Sequence, residues 1–188
     1  MPHGWELGIF IHILGVFAMA GAATTVLLVF SMMRRATTVQ EVRVLARLGS
    51  LIEKVFPVAA VVLLLSGGYM VNEFDLHWSS GWINLSALAL IIATAIGGLV
   101  NGPRMTAIHK AADAAPDGPV PPNLSGLLND PILFGSVHAL SLVLLAIIWN
   151  MTTKPSGIQA FLAIVLLAAI GAGSAYPLYQ RQQERAAQ

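Results

Sequence analysis

The chain has 188 residues, 56% of them hydrophobic and only 10% charged, with a formal net charge of +1 and a mean hydropathy of +0.75. Soluble domains carry about a quarter charged residues, so this composition excludes an ordinary soluble domain and points to several membrane spans. The near-zero charge gives no footprint for nucleic acid, and the absence of cysteine excludes disulfides, thiolate metal sites and covalent haem attachment through CxxCH.

The opening MPHGWELG lacks the basic stretch of a cleavable signal peptide, so the first apolar segment is expected to stay in the mature protein. That segment, a span over about 6–33, is long enough to cross a bilayer as one helix. His12 is its only strongly polar interior residue. A neutral imidazole in hydrocarbon needs partners for one donor and one acceptor, which makes His12 the leading functional candidate. After the basic pair Arg34 and Arg35, residues 37–50 place Val42, Leu45 and Leu48 opposite Arg43 and Arg47, as a short helix lying at the head groups would.

The second span covers about 51–72, with Pro57 in its first turns as a candidate kink. An acidic link, NEFDLHWSSG, leads to the third span at 82–102, closed by Asn101-Gly102-Pro103-Arg104. Residues 111–127 hold four prolines and little apolar bulk, the composition of a mobile loop. The fourth and fifth spans fall at about 131–150 and 157–178, and QRQQERAAQ leaves the membrane. The expected fold is therefore all-α, a single transmembrane bundle of five helices.

With the N-terminus outside, Arg34, Arg35, Arg43, Arg47, Lys54, Arg104, Lys110, Arg181 and Arg185 face the cytoplasm and Lys154 alone faces out. This bias favours an N-out, C-in inner-membrane protein. Trp5, Trp78, Trp82 and Trp149 then form an outer interfacial belt, with Tyr176 and Tyr179 at the inner one.

Helix rise puts His12 roughly 12 Å outward of the first span's midpoint and His138 about 5 Å inward of the fourth's, a separation of about 16 Å in depth. Opposite axial ligation of one haem is a poor fit to that gap, so the two histidines are separate candidates. On the His12 face lie Gly15, Met19 and Ala23, a small and soft surface suited to a flat cofactor or a second helix. His138 shares its face with Gly135 and Ser141. His3, Glu6, His12, Met70, Glu73, Asp75, His77 and Met151 gather near one membrane surface; imidazole with thioether would suit copper. Near the other surface Glu53, Lys54, Arg104, His109 and Lys110 could hold propionates, quinone head groups or lipid phosphates, or simply snorkel. Nucleotide, Walker, zincin and hydrolase motifs are absent, and no paired carboxylates lie within the hydrocarbon.

His12-Ile13-Leu14-Gly15 with Gly21, the basic segment that follows, Pro57, Gly67 and the run Trp149 to Pro155 together resemble a family of bacterial predicted integral membrane proteins of unknown function. More distantly the chain resembles the copper resistance D family and the membrane protoporphyrinogen oxidase of the HemJ type. The latter likeness implies haem b binding at His12, and the former implies copper handling at the same position. The oxidase likeness also implies a functional lysine in a membrane helix, for which the second span offers only Lys54, at its edge, and the third offers none. The expected function is a haem b-binding electron-transfer or accessory subunit, with His12, His138, Met19 and Arg104 as candidate cofactor contacts. His12, His138 and Met70 are the candidate ligands of the copper alternative; a structural subunit without cofactor is the third reading. Expected partners are the bilayer, other membrane subunits or a second copy of the chain.

Overall fold

The computed structural model describes residues 4–186; His3 lies outside the described residues, as do the side chains of Arg181 and Arg185. The elements run α1 (Gly4–Arg35), α2 (Val39–Glu53), α3 (Val55–Glu73), α4 (Gly81–Ile96), a π-helical turn (Gly97–Asn101), α5 (Gly102–Ala114), α6 (Pro122–Leu128), α7 (Pro131–Thr153), α8 (Gly157–Gly173) and α9 (Tyr176–Ala186). Five helical stretches are long and apolar enough to cross a membrane: Gly4–Arg35, Val39–Glu73, Gly81–Ala114, Pro122–Thr153 and Gly157–Gln180. Large side chains such as Phe17, Leu99 and Ile158 are about three-quarters exposed or more, at 74%, 79% and 75%. Exposed apolar bulk on this scale is unfavourable in water and is satisfied by lipid.

Helix α1 packs chiefly on α3, α7 on α8, and α4 on both α7 and α8. Close approach is permitted by small residues: a Cβ on Gly15 would come within 3.0 Å of Leu63, and one on Gly8 within 2.8 Å of the Tyr69 ring. Gly21, by contrast, meets nothing, so only part of the small-residue run in α1 is used for packing. Two buried clusters result. One joins Met19, Ala59, Leu63, Leu90 and Val143 between the spans. The other joins Phe30, Met33, Val42, Ile108 and Leu124 at the end of the bundle that carries Arg34, here the basic rim.

Three elements differ from the sequence expectation, each for a physical reason. The helix after α4 does not close at Asn101-Gly102-Pro103-Arg104; it widens into the π turn, with Gly102 N–H donating to Gly97 O, and continues as α5. Pro103 lacks the N–H that an α-helix would aim at Leu99 O, and its ring would press on that carbonyl. The wider turn relieves both problems without ending the helix. Secondly, α2 is not an isolated head-group helix. Val39, Val42, Ala46 and Gly49 are buried, whereas Leu48 is exposed, so the buried stripe is shifted from the one the leucines suggested. Only Lys54 separates α2 from α3.

Thirdly, the proline-rich segment 111–127 is structured rather than a free loop. Ala111–Ala114 end α5, and the prolines at 121 and 122 sit at the cap and first position of α6, where a missing N–H costs nothing. Between them, Val39 N–H donates to Gly118 O at 2.9 Å and Val120 N–H to Thr37 O at 3.1 Å, tying the segment to the α1–α2 turn. Leu124 is fully buried. Arg43 completes the anchor, donating to Ala112 O at 3.2 and 3.1 Å and to Ala115 O at 3.0 Å, and pairing with Asp117 at 3.0 Å. A cation on the last carbonyls of α5 satisfies both their lone pairs and the helix dipole. Arg43→Ala is expected to cost about 2 kcal/mol and to release the segment, read as faster amide exchange at Val39 and Val120 and as new proteolysis between 115 and 121.

Candidate functional site

The topology sends Trp5, Trp78, Trp82 and Trp149 to one end of the bundle and Arg34, Arg35, Arg43, Arg47, Lys54, Arg104 and Lys110 to the other. Between these rims two places carry unspent polar chemistry.

The first is His12, where α1 crosses α3. Its Nδ1 lies 3.0 Å from Ser66 Oγ, and the ring packs over Gly67, whose missing side chain leaves the approach open. Ser66 Oγ has one proton, and that proton goes to Val62 O at 2.5 Å. The hydroxyl therefore presents a lone pair to the imidazole, so Nδ1 carries the hydrogen and Nε2 keeps its own lone pair. The Leu63 carbonyl is a further backbone neighbour of the ring, and among the described residues no side chain engages Nε2. Orientation of one ring nitrogen by a hydrogen bond, with the other left as a donor of electrons, is the arrangement that supports ligation.

The second is a cavity of about 250 Å³ enclosed by α1, the α2–α3 junction, α4, the π turn and α7 toward the basic rim. Its wall is mostly apolar, with Met19, Phe30, Met33, Phe56, Met105 and Leu144 contributing most of the bulk. Four polar side chains interrupt it: Glu53, Thr94, Asn101 and Ser141. Thr94 and Ser141 donate to Leu90 O and Val137 O one turn back, at 2.8 and 2.9 Å, so only lone pairs remain for the cavity. Asn101, 7% exposed, accepts from Ser136 Oγ through Oδ1 at 2.5 Å, leaving its NH2 end unpaired among the described residues. Glu53, half-buried, has no hydrogen bond or ion pair among the described residues.

The remaining sequence candidates fall in different surroundings. Met19 is 4% exposed and belongs to the cavity wall and the core between spans, two helical turns from His12. Met70 lies across from Gly8, one turn beyond Ser66 on α3, on the His12 side of the bundle. His138 Nδ1 donates to Phe134 O at 2.8 Å, and its ring stacks on Phe134 with centroids 4.1 Å apart. The Arg34 guanidinium sits 4.4 Å from that same Phe134 ring, a positive neighbour that opposes a further cation at His138. Arg104 is engaged, pairing with Asp130 at 3.0 Å and donating to Val100 O at 2.9 Å. His12, His138, Met19 and Arg104 are thus not gathered into one site. An imidazole and a carboxylate meet only as a pair, His109 Nε2 and Asp113 Oδ2 at 3.2 Å, and no group of three or more His, Cys, Asp or Glu side chains placed to hold a metal occurs among the described residues. Asn101 bonds between helices, to Ser136 on α7, whereas Asn84 bonds locally to Trp78 O. Fully buried Asn150, which donates to Ser86 on α4 at 3.2 Å, was missed, because an asparagine beside a helix end looks like any interfacial residue.

No curated protein and no solved structure matches the chain. A family model described as a predicted integral membrane protein matches residues 7–155, which supports the multi-pass membrane assignment and does not extend to the copper resistance D or HemJ-type likenesses. The chain belongs to this family of integral membrane proteins, DUF2269.

Proposed function

We propose that the protein binds haem b in the bacterial inner membrane, with His12 supplying an axial ligand through Nε2, as an electron-transfer or accessory subunit. The relay from His12 Nδ1–H to Ser66 Oγ and on to Val62 O carries this reading, because it fixes the tautomer and leaves Nε2 its lone pair. An iron porphyrin held there would supply one-electron redox chemistry. His12 does not line the 250 Å³ cavity, and a cavity of about 150 Å³ already fills with benzene, so a porphyrin lies outside it. The ring would rest against the lateral face of α1 and α3, closed on its far side by a second copy or another membrane subunit. Seven basic side chains at one rim, against Lys154 at the other, support an outward N-terminus, with which His12 would lie nearer the outer surface.

The test is an absorption spectrum, oxidised and dithionite-reduced, of detergent-purified protein made with ample haem supply, together with metal analysis. A Soret band is expected in the wild type, lost in His12→Ala and kept in His138→Ala. Ser66→Ala, which removes the acceptor for Nδ1–H, is expected to lower haem occupancy by about tenfold or more. A featureless wild-type spectrum overturns the reading; copper near stoichiometry would then favour the metal alternative, and neither cofactor would favour a structural subunit.

A further inference from the structure

The cavity near the basic rim is separate from His12, and its chemistry asks for a different ligand. Glu53 is the one ionisable side chain among the described residues that line it, and nothing balances that carboxyl. The hydroxyls of Thr94 and Ser141 offer only lone pairs, having given their protons to their own helices. No lysine, arginine or histidine lines the wall, so an anionic head group or a phosphate finds no counter-charge there. Phe30 and Phe56 supply aromatic faces, and Met19, Met33 and Met105 supply polarizable, adaptable bulk. The volume suits a body of about one substituted aromatic ring. Glu53 is half-buried and Pro57 exposed, which places an opening at the α2–α3 junction.

A carboxylate in an apolar wall is costly unless a positive charge joins it, and the cost falls most for a cation whose own hydration is weak. We propose that this cavity binds a small membrane-soluble organic cation, a single apolar ring or its equivalent carrying one quaternary or protonated nitrogen, with Glu53 as the counter-charge. The π turn serves the site directly. Gly97 and Gly98 are on the cavity lining, and a Cβ added at either would meet no protein atom within 4 Å, so the turn presents bare backbone there.

The probe is benzyltrimethylammonium, compared with neopentylbenzene, its neutral counterpart of the same shape, titrated against the full chain in lipid nanodiscs with empty nanodiscs as the blank. Wild type is expected to bind the cation at least tenfold more tightly than the neutral compound. Glu53→Gln should remove that preference, Glu53→Asp should keep it, and Ala93→Phe, which fills the cavity, should abolish binding of both in protein that remains monodisperse. His12→Ala should bind the cation as wild type does, which separates this site from the haem reading. Equal affinity for the two compounds, undiminished cation binding by Glu53→Gln, or undiminished binding by Ala93→Phe would each overturn the proposal.

Discussion

Gly171→Ala is expected to destabilise the bundle by roughly 3 kcal/mol, at the upper end of the range for overpacking. A Cβ at Gly171 would lie 2.5 Å from both Cα and N of Ala139 and 2.7 Å from the carbonyl carbon of His138. These are backbone atoms of α7, which cannot move aside by changing rotamer. Across the same seam, a Cβ on Gly135 would lie 3.2 Å from Ala172 O, so α7 and α8 meet through small residues on both sides. In lipid there is little hydrophobic gain from pressing two helices together, and contact at this distance is the main source of their attraction. Helix α8 depends on it heavily, because Ala160 and Gly171 are its only buried residues. The melting temperature should fall by roughly 6–12 °C, at about 2–4 °C per kcal/mol. Gly173→Ala is the control: two residues along the same helix, its Cβ would meet nothing within 4 Å. It should melt at or slightly above wild type, since alanine is the better helix former. Equal melting of the two variants in detergent, followed by near-ultraviolet circular dichroism, would show that the seam does not govern α8 docking.

The spans were legible because a bilayer imposes one requirement, an uninterrupted apolar helix of sufficient length, and that requirement is written locally. What lay beyond it was not local. Pro103 read as a terminator because its missing N–H ends most helices, yet two glycines before it let the backbone widen and continue. Residues 111–127 read as a mobile loop from their four prolines. Their order comes from Arg43 and from backbone bonds to residues 37 and 39, partners that composition does not reveal. The expected stripe on α2 holds at Val42 and Leu45 and departs at Leu48, since leucines also face lipid at a membrane surface and hydrophobicity ceases to distinguish core from exterior.

The same loss of contrast limited the reading of the sites. His12 stood out because it is polar in an apolar run, but Ser66, which fixes its tautomer, is 54 residues away and unremarkable in sequence. Glu53 was legible as a charge at the start of a span, and its isolation was not. With Lys54 beside it, it read as part of a rim that holds an anionic group or snorkels, whereas Glu53 lines the cavity and Lys54 is exposed. The cavity draws on α1, α3, α4, the π turn and α7 at once, so no periodicity within one helix could announce it.

Asp130→Ala should lower stability by about 2–3 kcal/mol, because it removes two interactions that meet on one carboxylate. Oδ1 caps α7 by accepting from Ile132 N–H at 2.8 Å, and loss of such a cap costs about 1 kcal/mol. Oδ2 accepts from Arg104 Nε at 3.0 Å, with the two side chains 27% and 32% exposed. That exposure moderates the Coulomb gain, so the second contribution is about 1–2 kcal/mol. Arg104 also donates through Nη1 to Val100 O inside the π turn. Asp130 therefore fixes the start of α7 and, through the arginine, the turn that carries Gly97, Gly98 and Asn101 to the cavity wall. Asp130→Asn should recover the cap, since asparagine caps as well as aspartate, while losing the negative charge that faces Arg104. It should fall between wild type and Asp130→Ala in melting temperature. Because Arg104 acts through Asp130, the double variant with Arg104→Ala should be less destabilised than the sum of the singles by about 1 kcal/mol. Amide exchange over Gly97–Asn101 should quicken in Asp130→Ala. Additive energies together with unchanged exchange there would mean that the π turn is held by Pro103 and the glycines alone, with the ion pair acting only as a clasp at the basic rim.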